Sequence, residues 1–255
     1  GWVQGRSEFG PRALGNRSIL ADPRPEANRD RVNLMVKKRE GFRPFAPSVR
    51  AEDLREYFEF PEGMSPPDFM VFTVAVRSDK QSQLGAVTHV DGTARVHAVD
   101  REVNPRLWRL LTEFQALTGV PVVLNTSFNN NAEPIVDSPE DALRCYLTTQ
   151  IDHLVIGNLI VSKLPWTLVD LAALRPVIAP DARLRTDISP GGHSRHIVVF
   201  DYLFGKEREI GDAVHAVLAR ADGRRSLREL VGSDEAVLDV IWGLWSERYL
   251  DLAPA

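Results

Sequence analysis

The sequence predicts an α/β fold of α+β character, in which helices pack on a twisted mixed sheet and a small winged-helix-like module follows. Three observations support this. Strand and helix patterns intermix without a regular β–α–β repeat, one helix has strong start and stop signals, and a Pro- and Gly-rich stretch precedes the last 60 residues. We therefore expect a domain at 1–164, a linker at 165–195 and the winged-helix-like module at 196–255.

The clearest helix prediction covers residues 105–118. Asn104 is a favourable N-cap, Pro105 occupies the first helical position, and Gly119 follows the last turn. Its apolar stripe consists of Leu107, Leu111, Phe114 and Leu117. Ser138 and Pro139 open a further helix in the same way.

The remaining elements are predicted from periodicity and turn residues. A helix is expected at 29–38, and strands are expected at 69–76, 93–99, 120–124, 153–156 and 159–161. In the last 60 residues the prediction is a strand at 196–200 and helices at 211–221, 226–231 and 234–249.

Composition narrows the class of protein. Hydrophobic residues make up 44% of the chain without a run long enough to span a membrane, and the first ten residues lack the apolar core of a signal peptide. The single cysteine rules out an intrachain disulfide, which suits a cytoplasmic protein. Because the chain opens at Gly1 in a strand-like segment without Met, we expect it to be a fragment whose upstream sequence is missing.

Charge is distributed unevenly. Residues 1–50 hold eleven Lys/Arg and five Asp/Glu, a net charge of +6, although the whole chain carries −4. A local basic block on an acidic protein favours a specific anionic ligand over general nucleic-acid binding. A solvated basic face is the alternative that composition leaves open.

The last 60 residues have the opposite balance, with seven Lys/Arg and eleven Asp/Glu. The final helix, where a recognition helix would lie, is acidic and apolar over 234–245. DNA binding requires cations at that position, so the sequence argues against it. An apolar surface on most sides of this helix indicates burial or a protein or peptide partner.

Three segments contain residues suited to phosphate chemistry. The first is the glycine-rich stretch 5–18, where Arg12 and Arg17 bracket a turn. Glycine lets a ligand approach the backbone, and guanidinium groups bind phosphate oxygens in pairs. An ordinary Arg-rich surface loop explains this segment equally well.

The second segment, 37–47, places cations between aromatic and proline residues that would hold them rigidly. A helix C-terminus decorated with cations accounts for Lys37 and Lys38, but it does not account for Arg43. The third segment, 125–129, carries hydroxyl and amide groups at the end of a buried strand, where α/β proteins commonly bind ligands. Turn chemistry alone would also produce this third pattern.

Together these segments resemble the C-terminal domain of the O-carbamoyltransferases that modify antibiotics and nodulation factors. The resemblance covers roughly residues 1–163, and the first block is highly specific. The matching blocks are QGRSEFGPRALGNRSILADPR at 4–24, KKREGFRPFAP at 37–47, HVDGTARV at 89–96, VPVVLNTSFN at 120–129 and EPIV at 133–136.

The resemblance implies a YrdC-like (Sua5-like) fold and a set of site residues. Such domains carry a Lys-x-Arg and Ser-x-Asn tetrad for nucleotide and substrate phosphates. The matching catalytic residues are Lys37, Arg39 and Arg12, and the matching residues for substrate and ATP binding are Arg43, Arg95, Ser127 and Asn129.

The resemblance also implies a reaction. Carbamoyl phosphate yields carbamate, which attacks the α-phosphorus of ATP to give carbamoyl-adenylate and pyrophosphate, with Mg²⁺ entering on ATP. A Kae1-like N-terminal domain, which holds a His- and Asp-bound metal and is absent here, would then pass the carbamoyl group to an acceptor hydroxyl. No histidine spacing in this chain indicates a metal site of its own.

Two positions depart from the family pattern. Ala132 stands where the family usually has Gly before Glu-Pro, and His97 stands where it often has Gln. The main alternative function is a YrdC-like RNA- or nucleotide-binding domain without carbamoyl chemistry, which the +6 block allows. A third hypothesis is that the chain is inactive alone because the missing domain completes its site.

Overall fold

The computed structural model describes residues 1–38, 40–61, 63–130, 133–201 and 205–254. The chain divides into two compact units, Gly1–Lys163 and Leu164–Ala255. Each unit buries its own cluster of apolar side chains, so each has a separate hydrophobic core.

A mixed sheet organises the first unit. Its described strands are β1 (Trp2–Val3), β2 (Arg17–Ala21), β3 (Ala46–Arg50), β4 (Val74–Ala75), β5 (Thr93–Ala94), β6 (His97–Val99), β7 (Val122–Ser127), β8 (His153–Ile156) and β9 (Leu159–Ser162). Seven of them form one sheet in the order β6-β3-β7-β2-β1-β8-β9, and β4 pairs with β5 separately. Within the large sheet the pairs β1/β8 and β3/β6 are parallel and the others antiparallel. The predicted mixed α/β class is confirmed.

Helices connect these strands. The described helices of this unit are α1 (Ala27–Arg31), which continues as a π-helical segment (Val32–Lys37), α2 (Leu54–Tyr57), α3 (Pro105–Thr118) and α4 (Pro139–Leu147). Helix α3 has the predicted bounds because the side chain of Asn104 caps it and Gly119 ends it with φ of 79°. Helix α4 begins at the predicted position, where Ser138 and Asp141 form a capping box.

Several predicted bounds were wrong. The helix predicted at 29–38 changes to π geometry at Val32 and ends at Lys37, since Lys38 adopts φ of 48°. The strand predicted at 69–76 forms only at Val74–Ala75, because Met70 adopts φ of 55°, which a strand cannot accommodate. Strand β7 starts two residues later than predicted and continues to Ser127.

The third segment predicted for phosphate chemistry, 125–129, therefore begins within a strand. Asn125, Thr126 and Ser127 form the last half of β7, where the sequence predicted a loop. Because side chains alternate along a strand, Asn125 and Ser127 point to the same face of the sheet. This shared face places both residues beside one cavity, described below.

The second unit contains two small antiparallel sheets and four helices among its described residues. The strands are β10 (Arg175–Ile178), β11 (Ala182–Ile188), β12 (Ser194–Phe200), β13 (Glu207–Ile210) and β14 (Leu250–Ala253), and the helices are α5 (Leu168–Ala172), α6 (Asp212–Leu218), α7 (Leu227–Val231) and α8 (Glu235–Ser246). The sheets are β11-β12-β13 and β10-β14.

Residues 165–195 are therefore not a linker. They contain α5, β10 and β11, and β11 pairs with β12 along its whole length from Ala182 to Ile188. Prolines 176 and 180 led to the wrong prediction, but Pro176 lies in β10, whose partner β14 is its one neighbour among the described strands. The second unit begins at Leu164 rather than at 196.

The strand and three helices predicted after residue 195 are present as β12, α6, α7 and α8, while the winged-helix likeness stays a prediction. The apolar side chains of α8 lie inside the core of their own unit; these are Val237, Leu238, Ile241, Leu244 and Trp245. Burial thus explains the apolar helix, and the protein or peptide partner stays a prediction. None of the described helices has the length and apolarity needed to cross a membrane.

Candidate functional site

The glycine-rich loop between β1 and β2 is held from inside by Glu8. Its Oε1 accepts hydrogen bonds from the backbone N–H groups of Leu14, Asn16 and Arg17 at 2.7, 2.8 and 3.3 Å. Gly15 adopts φ of 99°, and a Cβ there would lie 2.5 Å from Leu107, so only glycine fits. These contacts fix the turn that contains Arg12.

Arg17, one of the two arginines considered as phosphate ligands, has a structural role. Its side chain is buried, and its guanidinium donates to the carbonyl oxygens of Gln4, Gly5, Asn16 and Asp137 at 2.9–3.2 Å. These carbonyls occupy all three guanidinium nitrogens. Arg17 therefore holds the glycine-rich loop to the segment that precedes α4.

Lys37, Ser127 and Asn129 lie together, as predicted. The Lys37 ammonium is buried and donates to the backbone and side-chain oxygens of both other residues at 2.5–3.1 Å. The Ser127 hydroxyl in turn donates to Asn129 Oδ1 at 2.9 Å. The π-helical segment ends at Lys37, which brings its ammonium beneath the end of β7.

Arg43 is not brought into this cluster. Its side chain is about half exposed and forms an ion pair with Glu40 at 2.9 Å. The loop around it is anchored instead by buried Asn33, whose Nδ2 donates to the carbonyl oxygens of Gly41 and Arg43 at 3.0 and 2.8 Å. Arg39 lies outside the described residues.

A cavity of about 120 Å³ opens beside the end of β7. Arg12, Arg95 and Ser127 contribute polar groups to it, and no carboxylate is among the described residues that line it. The full lining is Pro11, Arg12, Ala13, Pro44, Phe45, Ala46, Met70, Arg95, Asn125, Thr126 and Ser127. We call this the cationic cavity.

Arg95 gives the strongest indication of which ligand the cationic cavity binds. Its Nε is buried and has no hydrogen-bond partner among the described residues. Burial, followed by the neighbouring positive charge of Arg12, lowers the pKa of Arg95 below its ordinary value. Two like charges and an unpaired buried donor are costly without a ligand, so this arrangement favours an anion.

A buried polar chain crosses three strands and ends at Asn125, which lines the cationic cavity. Asn125 Nδ2 on β7 donates to Ser48 Oγ on β3 at 2.9 Å, and Ser48 Oγ lies 2.9 Å from His97 Nδ1 on β6. Burial lowers the pKa of His97 to about 4, which keeps its ring neutral at pH 7. The same Asn125 Nδ2 donates to the carbonyl of Ala13 at 3.2 Å and so ties this polar chain to the Arg12 loop.

A second cavity of about 450 Å³ adjoins the first, because Pro11 and Ser127 line both. It also contains Glu8, Asn129 and Asp137. One carboxylate oxygen of Glu8, Oε2, is buried and unpaired within the described part of the chain. We call this the adjoining cavity; no group of three or more His, Cys, Asp or Glu in the described ranges is arranged to hold a metal.

The structure thus sorts the predicted residues. Arg12, Arg95 and Ser127 line the cationic cavity. Lys37 and Asn129 form hydrogen bonds with Ser127. Sequence reasoning gave no role to four residues that build the site: Glu8, Asn33, Ser48 and Asn125. Glu8 and Asn125 stood within recognised motifs, but Ser48 and Asn33 gave no local signal.

Comparison with known proteins identifies the first unit. Residues 1–163 match the family model described as carbamoyltransferase C-terminus, which is more than half of the chain. The chain belongs to this carbamoyltransferase family. The matched range coincides with the compact unit Gly1–Lys163, so the family domain and the unit that contains both cavities are the same piece of structure.

Among relatives of this carbamoyltransferase-family chain, two nodulation proteins match nearly all of it. Nodulation protein NolO of Bradyrhizobium diazoefficiens is 49% identical over 252 residues, covering 94% of this chain and 44% of that protein. Nodulation protein NolNO of Sinorhizobium fredii is 47% identical over 265 residues, covering 100% of this chain and 39% of that protein. Their matches include the second unit.

A third relative carries an activity in its name. The 3'-hydroxymethylcephem-O-carbamoyltransferase of Streptomyces clavuligerus is 44% identical over 157 residues, covering 62% of this chain and 29% of that protein. The carbamoyltransferase-family chain therefore spans less than half the length of the curated relatives it matches here.

Proposed function

We propose that the first unit binds carbamoyl phosphate and ATP and activates the carbamoyl group as carbamoyl-adenylate. The observation that carries this proposal is the unpaired, buried Nε of Arg95 beside Arg12, in a cavity without a carboxylate among its described lining residues. Such a cavity suits a phosphate group, and the family supplies the carbamoyl chemistry.

The proposed reaction has two balanced steps. Water converts carbamoyl phosphate to carbamate and inorganic phosphate. A carbamate oxygen then attacks the α-phosphorus of ATP, which forms carbamoyl-adenylate and releases pyrophosphate. Carbamate is already an anionic nucleophile, so the protein's task is to hold two polyanions together against their repulsion.

Arg12 and Arg95 would neutralise phosphate oxygens in this reaction. Lys37 acts through one intervening hydrogen bond, because its ammonium contacts the Ser127 hydroxyl at 3.1 Å and Ser127 lines both cavities. It thereby places a buried positive charge close to the junction of the two cavities and fixes the position of Asn129.

Cavity size supports a division between the two substrates. The cationic cavity, at about 120 Å³, has room for a small phosphorylated molecule, whereas drug-sized ligands typically occupy ~300–1,000 Å³. The adjoining cavity, at about 450 Å³, is in that range, and its Glu8 Oε2, which has no partner among the described residues, can accept a hydrogen bond from a hydroxyl. ATP, accompanied by Mg²⁺, would lie there with its phosphates directed toward Ser127.

Complete carbamoyl transfer is a proposal about the longer protein. We infer that a Kae1-like N-terminal domain with its own bound metal receives the carbamoyl-adenylate and passes the group to an acceptor hydroxyl. The name of the Streptomyces relative states a hydroxymethyl acceptor and O-carbamoyl transfer, which supports this chemistry. Arg43, exposed and paired with Glu40, and Arg39 remain proposed phosphate ligands.

The test is pyrophosphate release from ATP by the purified chain, with and without carbamoyl phosphate. Release should require carbamoyl phosphate and should fall at least ~100-fold in Arg12→Ala, which removes a charge stabilising the transition state. Arg109→Ala is the matched control, because Arg109 lies on the exposed surface of α3 with its side chain 80% accessible. Its rate should equal that of the unmodified chain.

Two other results would lead to different conclusions. ATP binding without pyrophosphate release would mean that the N-terminal domain is required for the step. Steeply salt-dependent binding of tRNA, without ATP binding or pyrophosphate release, would support the alternative of an RNA-binding domain and contradict the proposal.

A further inference from the structure

Asn125 presents an unpaired acceptor at the cationic cavity. The residue is 1% exposed and lines the cavity, and its buried Oδ1 has no hydrogen-bond partner in the described ranges of the chain. A buried amide oxygen without a partner costs about 1–3 kcal/mol, so a ligand that donates to it gains a corresponding advantage. The other polar side chains that line this cavity are two arginines, which can only donate, and the hydroxyls of Thr126 and Ser127.

The orientation of the Asn125 amide is fixed by its neighbours. Its Nδ2 lies 3.2 Å from the carbonyl oxygen of Ala13, which can only accept a hydrogen bond. Exchanging the amide oxygen and nitrogen would therefore set two acceptors against each other. The oxygen must be the atom left for a ligand.

A second contact is compatible with this orientation. Asn125 Nδ2 also donates to Ser48 Oγ, which leaves the serine proton free to donate to Nδ1 of His97. Because burial lowers the pKa of His97, its ring is neutral at pH 7 and its Nδ1 can accept that proton. With the amide oriented by the Ala13 carbonyl, the chain of donors runs from Asn125 through Ser48 to the His97 tautomer that accepts at Nδ1.

We propose that Asn125 is a specificity-determining residue, whose Oδ1 accepts a hydrogen bond from the amino group of the carbamoyl moiety. This inference rests on the proposed function and adds how the site distinguishes a carbamoyl from an acyl phosphate. The cavity offers complementary groups to the two ends of the molecule. Arg12 and Arg95 face the phosphate oxygens, and Asn125 faces the N–H donor.

Acetyl phosphate is the matching probe, because it replaces the amino group with a methyl group of nearly the same size. In the cavity its methyl group would cover Asn125 Oδ1 without satisfying it. An unpaired buried acceptor of this kind corresponds to roughly a 5- to 150-fold loss of affinity. Inorganic phosphate, which lacks both groups, reports on the cations alone.

The experiment measures the dissociation constants of carbamoyl phosphate, acetyl phosphate and inorganic phosphate for the full chain and for Asn125→Ala. The unmodified chain should bind carbamoyl phosphate at least ~10-fold more tightly than acetyl phosphate. In Asn125→Ala this ratio should approach one while inorganic phosphate still binds. Asn158→Ala, at the exposed β8–β9 turn, is the control and should keep the full ratio.

Each outcome bears on one of the two proposals. Equal affinity for the carbamoyl and acetyl compounds in the unmodified chain overturns the role of Asn125, and so does a ratio that Asn125→Ala leaves unchanged. Because the first of these comparisons uses the unmodified chain, it tests the proposal even if Asn125→Ala fails to fold. Absence of binding by all three phosphates would instead contradict the cationic cavity as a phosphate site and with it the proposed function.

Discussion

The carboxylate of Glu8 accepts a hydrogen bond from the backbone N–H of Leu14 at 2.7 Å, across the turn that contains Arg12. The same oxygen accepts two further backbone N–H groups. A single acidic side chain thus shapes a loop whose proposed task is to bind an anion. Its negative charge is directed toward the loop's own backbone rather than toward the cationic cavity.

Replacing Glu8 with Ala should destabilise the first unit by about 1–3 kcal/mol, because three backbone donors lose their acceptor. Urea denaturation measures this change. Inorganic phosphate should also bind more weakly, since the turn that positions Arg12 is loosened. Glu102→Ala is the control, because Glu102 lies exposed before α3. An unchanged free energy of unfolding in Glu8→Ala would show that the loop does not depend on this carboxylate.

Arg17→Ala should reduce stability far more than it reduces ligand affinity per folded molecule. Its guanidinium bonds only to backbone carbonyls in the described structure, and their loss should cost at least about 3 kcal/mol in the free energy of unfolding. Arg6→Ala, an exposed change in the same loop, should stay within about 0.5 kcal/mol. A stable Arg17→Ala chain that has lost phosphate binding would restore the ligand role.

Lys37→Arg should abolish most pyrophosphate release although it keeps the charge. Four oxygens surround the buried ammonium within 3.1 Å, and a planar guanidinium does not fit that arrangement. We expect at least a ~10-fold loss of rate. The matched control is Lys80→Arg, since Lys80 contacts Glu56 at 2.7 Å and the Tyr57 ring at the surface, which arginine can also do. Equal rates in both variants would contradict the proposed role of Lys37.

His97 should make the first unit less stable in mild acid. Its folded-state pKa is about 4 and its ordinary value is 6.5, so the unfolded chain binds the proton more tightly. The stabilisation from the neutral ring is complete above pH 6.5 and is lost as the pH falls toward 4. Between pH 7 and pH 5 the linked loss is about 2 kcal/mol.

Urea denaturation of His97→Gln at both pH values measures this contribution. The variant should lose that part of the pH dependence, while His193→Gln, in an exposed turn of the second unit, should retain it. A pH dependence that is the same in His97→Gln and in the unmodified chain would show that His97 does not titrate as proposed.

Local signals predicted the elements that local contacts build. Asn104, Pro105 and Gly119 defined α3 because capping depends on residues next to the helix. The strand predicted at 69–76 failed because Met70 is buried in a left-handed conformation, which tertiary packing imposes and β-propensity cannot show. The π geometry after Val32 likewise has no signal in the apolar pattern.

The site residues also divide into those that local motifs predict and those that only tertiary contacts reveal. Arg12, Lys37, Arg95, Ser127 and Asn129 were found through motifs, and the structure brings them to the end of β7. The role of Arg17 was left open, because a sequence does not distinguish an arginine that binds a ligand from one that binds carbonyls. The contact between Ser48 and His97 joins residues 49 positions apart, so no local pattern could reveal it.

The polar chain from Asn125 through Ser48 to His97 also affects how the strands align during folding. Ser48 pairs directly with His97, while its own strand runs beside Val123 two residues before Asn125. A slip of one residue in β3 would turn Ser48 to the opposite face and leave the side chains of Asn125 and His97 without this buried polar partner. The contacts of Ser48 with Asn125 and His97 therefore disfavour misaligned sheets. The strand register that satisfies these contacts is also the one that places Asn125 at the cationic cavity.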